Sequence, residues 1–356
     1  MLLYILIYLL LCLSGAPRMT KGASAFVVFL WGGFLLLFMG TRYWVGCDYF
    51  GYLSRFNNID YSGGVLSYFL MEEPGFHLLN YFVHSLGLGY VWLILISSLI
   101  ILICYIRFSF LSARPLLVLA LFFPVMIVQL GMSGLRQAVA AGFVLMALAS
   151  FTAMRKLSFV AFILLASTFH KSAIIFFPLV FLIGRDISGF KLLSASFVFL
   201  PLVGFLLGDR LDVYQDRYVD QIYGESSSRG ALIRYVLILI PYAVFLYVRD
   251  TVKQLLPRFY PLMNLFMFLT VAVFPLAIFS TTALHRMIYY LMPVSILVFV
   301  SCVPYFLKPS FLRVSILVPA LIYGVYLVGW FASSRHADSC YVPYKSELFI
   351  DQFDRL

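Results

Sequence analysis

Charged side chains are the scarcest class in this chain. Only 11% of its 356 residues are Asp, Glu, Lys or Arg, whereas 63% are hydrophobic and the mean hydropathy is +1.00. Soluble globular proteins carry about 25% charged residues, so the composition excludes that class. It is typical of a polytopic helical membrane protein.

The sequence also lacks the motifs of metal and redox sites. Its five cysteines form no Cys-x-x-Cys pair and no Cys/His cluster with zinc spacing. It contains no Asp-x-Asp, which argues against a metal-dependent sugar-nucleotide enzyme. We therefore expect neither a metal nor a cofactor, and we see no internal repeat.

The cysteines divide by position. Cys12, Cys104 and Cys302 lie in apolar stretches and are interpreted as packing residues. Cys47 and Cys340 fall in polar segments on one side of the membrane, where a disulfide is chemically possible. Connectivity does not follow from sequence, so this pairing stays open.

The apolar segments predict an all-α fold of about twelve transmembrane helices in one integral domain, residues 1–356. The first segment has no basic residues at its amino terminus and is followed by further spans. We therefore interpret it as a retained helix rather than a signal peptide. The predicted spans lie near residues 1–16, 25–41, 90–106, 115–133, 138–154, 157–169, 172–184, 192–207, 231–248, 260–282, 287–306 and 314–332.

The loop charges predict the orientation. With the amino terminus outside, the inner loops hold thirteen Lys and Arg against two acidic residues, and the outer side holds twelve basic and thirteen acidic residues. Basic residues favour the cytoplasmic side, so both termini are predicted to lie outside. The net charge of +10 is then explained by the topology, through its distribution over the loops, and gives no reason to expect nucleic acid.

Three polar segments are predicted on the outer side: 42–89, 208–230 and 333–356. Within the first, residues 76–88 are apolar but short, and we interpret them as an interfacial or re-entrant helix. Asp209, Asp212, Asp216 and Asp220 have helical spacing. A divalent-cation site is conceivable there, although a solvated helix face is favoured.

Several outer residues are not explained by topology. Arg136 is the one ionisable side chain between Pro115 and Met154, and it follows the turn that begins at Gly131. An arginine at a helix end commonly extends to lipid headgroups. Several arginines on the side where basic residues are disfavoured suggest another role. The further candidates are Arg42, Arg286, His170, Asp48, Glu73, Gln137, Tyr341 and Tyr344.

These residue types suit glycosyl transfer from a lipid diphosphate. Guanidinium groups bind diphosphates bidentately, so Arg136 and Arg286 are predicted to bind the donor diphosphate, with Arg42 as a third contact. The attacking hydroxyl needs a base, for which His170 is the first candidate and Asp48 the alternative. Four further residues are predicted at the sugar site: Glu73, Gln137, Tyr341 and Tyr344.

At this point the chain resembles the EpsG family of bacterial exopolysaccharide proteins, which is related in role to the O-antigen polymerase Wzy. The resemblance rests on an ordered set of short motifs over roughly residues 25–300. They are Arg42-x-x-x-Gly46-x-Asp48-Tyr49-x-x-Tyr52, Glu73-Pro74-Gly75-Phe76, Leu135-Arg136-Gln137-Ala138, Phe169-His170-Lys171-Ser172-Ala173 and Arg286-x-x-Tyr289.

The resemblance implies an inner-membrane polymerase that joins oligosaccharide repeat units carried on undecaprenyl diphosphate at the periplasmic face. It also implies an architecture similar to the integral-membrane glycosyltransferases of the C class. The implied partners are a repeat-unit flippase and a chain-length regulator. Two alternatives stay open: a ligase of the O-antigen type, and a flippase for the lipid-linked unit. A flippase is disfavoured because the ionisable groups lie mainly at predicted surfaces.

Overall fold

The computed structural model describes residues 1–17, 19–59, 64–185, 227–276, 281–306 and 314–349. These residues are mainly helical and contain no β-strand. A π-helical segment, Phe123–Gly131, follows α7, and a 3-10 helix, Lys171–Leu182, follows α9. The α-helices are α1 (Leu2–Gly15), α2 (Lys21–Gly40), α3 (Tyr49–Asn57), α4 (Gly64–Phe69), α5 (Pro74–Ser85), α6 (Tyr90–Ser109), α7 (Pro115–Phe122), α8 (Leu135–Thr152), α9 (Lys156–Phe169), α10 (Ser227–Tyr247), α11 (Arg249–Leu255), α12 (Tyr260–Ala272), α13 (Thr281–Phe306), α14 (Val314–Ser333) and α15 (Arg335–Tyr341).

The protein is a multi-pass, all-helical membrane protein, as the composition predicts. Helices satisfy their backbone hydrogen bonds internally, which a hydrocarbon environment requires. Among the described helices, α2, α6, α8, α10 and α13 are long and apolar enough to cross a membrane. A sixth candidate is the pair α14 and α15, whose axes meet at 85°. The total of twelve spans and the likeness to C-class glycosyltransferases stay predictions.

Some sequence predictions fall outside the described residues. These are the span at 192–207, most of the outer loop at 208–230 with its four aspartates, and the last residues of the tail. The other predicted spans coincide with helices, although several of these are shorter than a full crossing, as at α9 and the 3-10 helix that follows it.

The described chain divides into two compact units. Unit 1 comprises Met1–Leu145, Leu165–His170 and Ile316–Leu356, and unit 2 comprises Met146–Leu164 and Lys171–Ser315. In unit 1, α1 packs against α7, and α2 packs against both α6 and α7. In unit 2, α10 lies along α13, and α12 packs against α13 as well.

The π-helical segment Phe123–Gly131 leads directly to the turn before Arg136. All nine of its residues are buried, and Pro124 near its start cannot donate a backbone hydrogen bond. Segments of this kind are rare and frequently occur at functional sites. The following turn ends at α8, so Arg136 is the second residue of that helix.

Helix α5 corresponds to the predicted interfacial helix. Its twelve residues span about 18 Å, which is shorter than the roughly 30 Å of a bilayer core. Phe76, Asn80 and Val83 are buried on one face, whereas Phe82 is 51% exposed. Helix α5 packs against α4 and α6. A full crossing by α5 alone is therefore excluded by length.

The carboxyl-terminal segment is tied to the first outer segment. Cys47 and Cys340 form a disulfide with a Cα–Cα distance of 5.0 Å, which settles the pairing that the sequence left open. Main-chain hydrogen bonds accompany it, from Gly46 N to Cys340 O at 2.8 Å and from Tyr43 N to Lys345 O at 3.0 Å. The two segments, distant in sequence, form one structural layer of unit 1.

Candidate functional site

Glu73 joins Arg136 and His170 in unit 1. Its Oε2 atom accepts a hydrogen bond from the Arg136 guanidinium at 2.5 Å, and its Oε1 atom lies 2.7 Å from His170 Nδ1. The Glu73 side chain is only 6% exposed, against 14% for His170 and 25% for Arg136. One buried carboxylate therefore organises a cation and a histidine that are 34 residues apart in sequence.

The local sequence explains how Glu73 reaches this position. Its backbone is left-handed, with φ of 58°, and Pro74 then begins α5 at a position that proline favours. At Gly75, a Cβ atom would lie 3.0 Å from Phe169 Cε2 and would overlap the Thr168 side chain. Glycine thus lets the start of α5 approach the end of α9, which brings Glu73 beside His170.

Tyr52 supports Arg136 from α3. Its hydroxyl accepts a long hydrogen bond, 3.5 Å, from the Arg136 backbone nitrogen. Burial raises the pKa of Tyr52, with the nearby Arg136 charge acting in the opposite direction. The hydroxyl therefore stays protonated at neutral pH and acts as a neutral partner.

His77 is a histidine near this cluster that the sequence analysis did not select. It lies one turn after Glu73 on α5, half-buried, with its ring stacked on Tyr68 at 6.5 Å between centroids. Burial lowers the pKa of His77, and the positive charge of Arg136 lowers it further. The sequence signal that could have found it is its i, i+4 spacing from Glu73.

The geometry fixes the histidine tautomer. A carboxylate only accepts hydrogen bonds, so the contact to Glu73 Oε1 requires the proton of His170 to be on Nδ1. Nε2 then carries the basic lone pair. A carboxylate on the far side of an imidazole also stabilises the imidazolium that forms when Nε2 takes a proton. The cluster thus combines an imidazole, which can accept a proton when it is neutral, with a neighbouring guanidinium.

Arg42, the predicted third diphosphate contact, is 1% exposed. Its guanidinium donates to the main-chain carbonyls of Met39 at 2.5 Å and Val45 at 3.1 Å. Burial lowers the pKa of Arg42. These contacts indicate that Arg42 stabilises the chain leaving α2, and its proposed contact with the diphosphate stays a prediction.

Asp48, the alternative base, is exposed at the start of α3. Gly46 has a φ of 104°, and a Cβ atom there would overlap the Met132 carbonyl oxygen, so only glycine fits this approach. The next residue, Cys47, donates its backbone N–H to Ser133 Oγ at 3.0 Å. The motif around Asp48 therefore lies against the turn that precedes Arg136.

The predicted sugar-site tyrosines have packing contacts. Tyr341 is 3% exposed, and its hydroxyl lies 2.5 Å from Ser133 Oγ. Tyr344 donates to the Phe38 carbonyl at 2.8 Å and stacks on the Phe38 ring, and burial raises its pKa to about 12. Gln137 is half-buried on α8. Sugar contacts by these residues and by Glu73 stay predictions.

Arg286 lies in unit 2, immediately after His285 in the sequence. The His285 Nε2 atom is 2.5 Å from the Arg234 guanidinium and 2.7 Å from the Tyr289 hydroxyl. Arg234 also donates to that hydroxyl at 3.1 Å. Arg234, on α10, was not selected from sequence because it sits among apolar residues at the start of a predicted span.

A possible metal-binding group among the described residues is Cys47, His336 and Cys340, whose ligand atoms lie within 4.8 Å of one another. The two sulfur atoms are joined in the disulfide, so neither is the thiolate that would bind a metal. We therefore assign no metal to this group.

The model of the EpsG family matches residues 25–346, nearly the whole chain. The chain belongs to the EpsG family. EpsG is a family of Wzy-like polysaccharide polymerases, and the resemblance drawn from the short motifs is confirmed. No curated protein and no solved structure matched the chain.

The EpsG match covers every candidate residue described above. Its motifs now have local structural meanings: Gly46 and Gly75 permit close approaches, Glu73 bridges two side chains, and Tyr289 contacts Arg234. The chemistry of the family is that of a glycosyltransferase-like polymerase in general.

Proposed function

We propose that this EpsG-family protein is a polysaccharide polymerase acting at the periplasmic face of the bacterial inner membrane. It transfers the growing glycan from undecaprenyl diphosphate onto the non-reducing end of a lipid-linked oligosaccharide repeat unit. The observation that carries the proposal is the Glu73 bridge between Arg136 and His170. That bridge supports the proposal because it brings the imidazole that we propose as base close to the guanidinium that we propose as diphosphate ligand.

The proposed reaction needs one proton transfer. The acceptor hydroxyl oxygen attacks the anomeric carbon of the donor, and the bond from that carbon to the diphosphate oxygen breaks. The diphosphate leaves with the bonding electron pair and needs no proton. The hydroxyl proton goes to His170 Nε2, and Glu73 stabilises the imidazolium. Asp48 is the alternative base.

The arginines stabilise the charge that develops on the leaving diphosphate. Arg136 is proposed to bind the donor diphosphate, and its guanidinium remains charged at any relevant pH. A contact of Arg286 with the diphosphate stays a prediction. Fixed cations act at the developing anion without solvent reorganisation, so this chemistry requires no metal.

Two observations support the outer orientation. The charge balance of the loops predicts that the segment 42–89 lies outside. The Cys47–Cys340 disulfide lies in the same layer, and disulfides persist in oxidising compartments such as the bacterial periplasm. The proposed partners are the bilayer, a repeat-unit flippase that supplies substrate, and a chain-length regulator.

Reconstitution tests the proposal. Purified protein in liposomes receives both lipid-linked substrates on the leaflet that faces the proposed site. We expect longer lipid-linked glycans from the wild type, and a loss of about 100-fold or more in rate from His170→Ala, the usual weight of a general base. A matched control is His84→Ala, on the same outer segment. Failure of the wild type to form longer glycans would overturn the proposal.

A deletion strain separates polymerase from ligase. A polymerase deletion leaves single repeat units attached to the final acceptor and removes long chains. Free lipid-linked polymer in the deletion strain would instead indicate a ligase that moves glycan onto lipid A or protein.

A further inference from the structure

The carboxyl-terminal segment of unit 1 contacts the turn before Arg136 through one hydroxyl group. Tyr341, the last residue of α15, has its hydroxyl 2.5 Å from Ser133 Oγ and 3.3 Å from the Gln129 carbonyl oxygen. Gln129 belongs to the π-helical segment, and Ser133 belongs to the turn that follows it. One tyrosine therefore joins the π-helical segment to the turn that leads to Arg136.

Donor and acceptor chemistry fixes the direction of these hydrogen bonds. A carbonyl oxygen only accepts, so the Tyr341 hydroxyl donates its proton to Gln129. The Ser133 hydroxyl then donates to the Tyr341 oxygen, while Ser133 Oγ accepts from the Cys47 backbone N–H at 3.0 Å. The result is a directed chain of three hydrogen bonds from Cys47 through Ser133 and Tyr341 to Gln129.

The Tyr341 ring is held by contacts that do not involve its hydroxyl. It is 3% exposed and packs edge to face on Trp330, with 5.2 Å between ring centres. The Tyr341 carbonyl accepts a hydrogen bond from the Tyr4 hydroxyl at 2.9 Å, and the preceding residue, Cys340, forms the disulfide with Cys47. A phenylalanine at this position would keep the packing and lose only the hydroxyl.

The hydrogen-bonded chain acts on the part of the backbone that carries Arg136. Carbonyl groups at the end of a helix have no partner within the helix, and the Tyr341 hydroxyl supplies one for Gln129. Ser133 lies two residues before α8, whose second residue is Arg136. The geometry of this turn therefore determines where the Arg136 guanidinium lies.

We propose that Tyr341 is a positioning residue for Arg136, and that it acts through Ser133 and the Gln129 carbonyl. The inference rests on the proposed function, in which Arg136 binds the donor diphosphate. It gives Tyr341 a role different from the sugar contact that the sequence predicts. Small displacements of a positioned group are costly in rate, so the hydroxyl should matter although it touches no substrate.

A double-mutant cycle tests the positioning role. Tyr341→Phe, Arg136→Lys and the double variant are compared by kcat/KM for the lipid-linked donor in liposomes. We expect Tyr341→Phe to lose about fivefold, the scale of one buried hydrogen bond, and Arg136→Lys about tenfold. The double variant should lose little more than Arg136→Lys alone, because coupled residues are not additive. Losses that multiply to about fiftyfold would show an independent structural role and overturn the proposal.

Tyr235→Phe is the matched control. Its buried hydroxyl donates to the Thr270 carbonyl at 2.8 Å, which is the same kind of bond in unit 2. We expect less than about a twofold change, and no coupling with Arg136→Lys. Coupling as strong as that of Tyr341→Phe would overturn the proposal. If Tyr341→Phe does not accumulate, Ser133→Ala interrupts the same chain, and its losses must also fail to multiply with those of Arg136→Lys.

The acceptor distinguishes positioning from a sugar contact. We expect the KM for the lipid-linked acceptor to change less than about twofold in Tyr341→Phe. A raised acceptor KM with an unchanged kcat/KM for the donor would assign Tyr341 to the acceptor sugar and overturn the proposal.

Binding of radiolabelled undecaprenyl diphosphate to the purified full-length variants separates this inference from the proposed function. Wild-type extension with uncoupled variants would overturn the positioning role and leave the polymerase proposal intact. Coupled effects of Tyr341→Phe and Arg136→Lys on the Kd, without wild-type extension, would support positioning and overturn the polymerase proposal. A wild type that neither binds the diphosphate nor extends chains would overturn both.

Discussion

The two units hold their arginines in different ways. In unit 1, Arg136 is paired with the Glu73 carboxylate, which also contacts His170. In unit 2, Arg234 donates to His285 and Tyr289, both neutral. A carboxylate shared with a histidine suits proton transfer, whereas the contacts of Arg234 with a histidine and a tyrosine position its guanidinium. The same residue type is thus held by different kinds of partner in the two units.

Among the substitutions that test this comparison, loss of the Glu73 charge should cause the largest fall in the rate of chain extension. Glu73→Gln keeps the size of the side chain but removes the negative charge that pairs with Arg136 and that would stabilise a His170 imidazolium. We expect the rate of chain extension to fall about 100-fold or more. The measurement is glycan length against time in liposomes.

The neighbouring carboxylate provides the control for that variant. Glu72 is exposed, and Glu72→Gln should extend chains at nearly the wild-type rate. Equal loss in both variants would mean that outer negative charge, rather than the bridge, is what matters.

Arg136→Lys tests the guanidinium geometry separately from its charge. Lysine keeps the ion pair with Glu73 but presents a point charge in place of the planar fork. We expect a loss of about tenfold in kcat/KM, as for one or two charge-assisted hydrogen bonds. Single-turnover rates measured below saturation with donor would give the result. Near-normal polymer from this variant would remove Arg136 from the diphosphate site.

Gly75→Ala should disturb the bridge from a distance. The added methyl group would meet Thr168 and Phe169 and would move the start of α5 away from the end of α9. We expect a loss of several-fold to about tenfold in extension rate, because small displacements of positioned groups are costly. Gly51→Ala is the matched control, since a Cβ atom there has no neighbour within 4 Å. Equal behaviour of the two alanine variants would show that the close approach does not matter.

Cys47→Ser should have the smallest effect on chemistry. The disulfide links the carboxyl-terminal segment to the motif around Asp48 but contacts no member of the Glu73 cluster by itself. We expect a lower unfolding temperature in detergent and a loss of extension below about tenfold, with a few kcal/mol at most attributable to the bond. Cys12→Ser, in α1, is the control, and matching thermal stability in both variants would contradict the prediction.

Labelling of Cys47 tests the proposed orientation of the protein in the membrane. A membrane-impermeant thiol reagent applied to the periplasmic side should modify Cys47 in cells only after reduction. Labelling only from the cytoplasmic side would reverse the proposed topology.

The fold class and the family were accessible from sequence because they depend on composition and local motifs. Long apolar runs leave a helical membrane protein as the one reasonable class. The short motifs around Asp48, Glu73 and His170 were recognisable without any knowledge of their contacts, and the family match confirms the resemblance that they indicated. Helix length also argues against a membrane crossing by α5 alone, since twelve residues are too few to span the bilayer core.

The contacts inside the site were less accessible. Glu73 was predicted at the sugar site, and its bridge depends on a left-handed backbone and on the room left by Gly75, which are three-dimensional properties. Arg42 looked like an outer cation, yet it binds main-chain carbonyls in the interior of unit 1. Arg234 was not selected because it lies near the start of a predicted span, where a single arginine hardly changes the mean hydropathy of the segment.

The most direct test of the central claim is an experimental structure with undecaprenyl diphosphate bound. The account predicts phosphate oxygens within hydrogen-bonding distance, about 3 Å, of the Arg136 guanidinium, with His170 Nε2 facing the reacting end of the lipid diphosphate. A diphosphate bound at the opposite membrane face, beside Arg249 or Arg258, would contradict it.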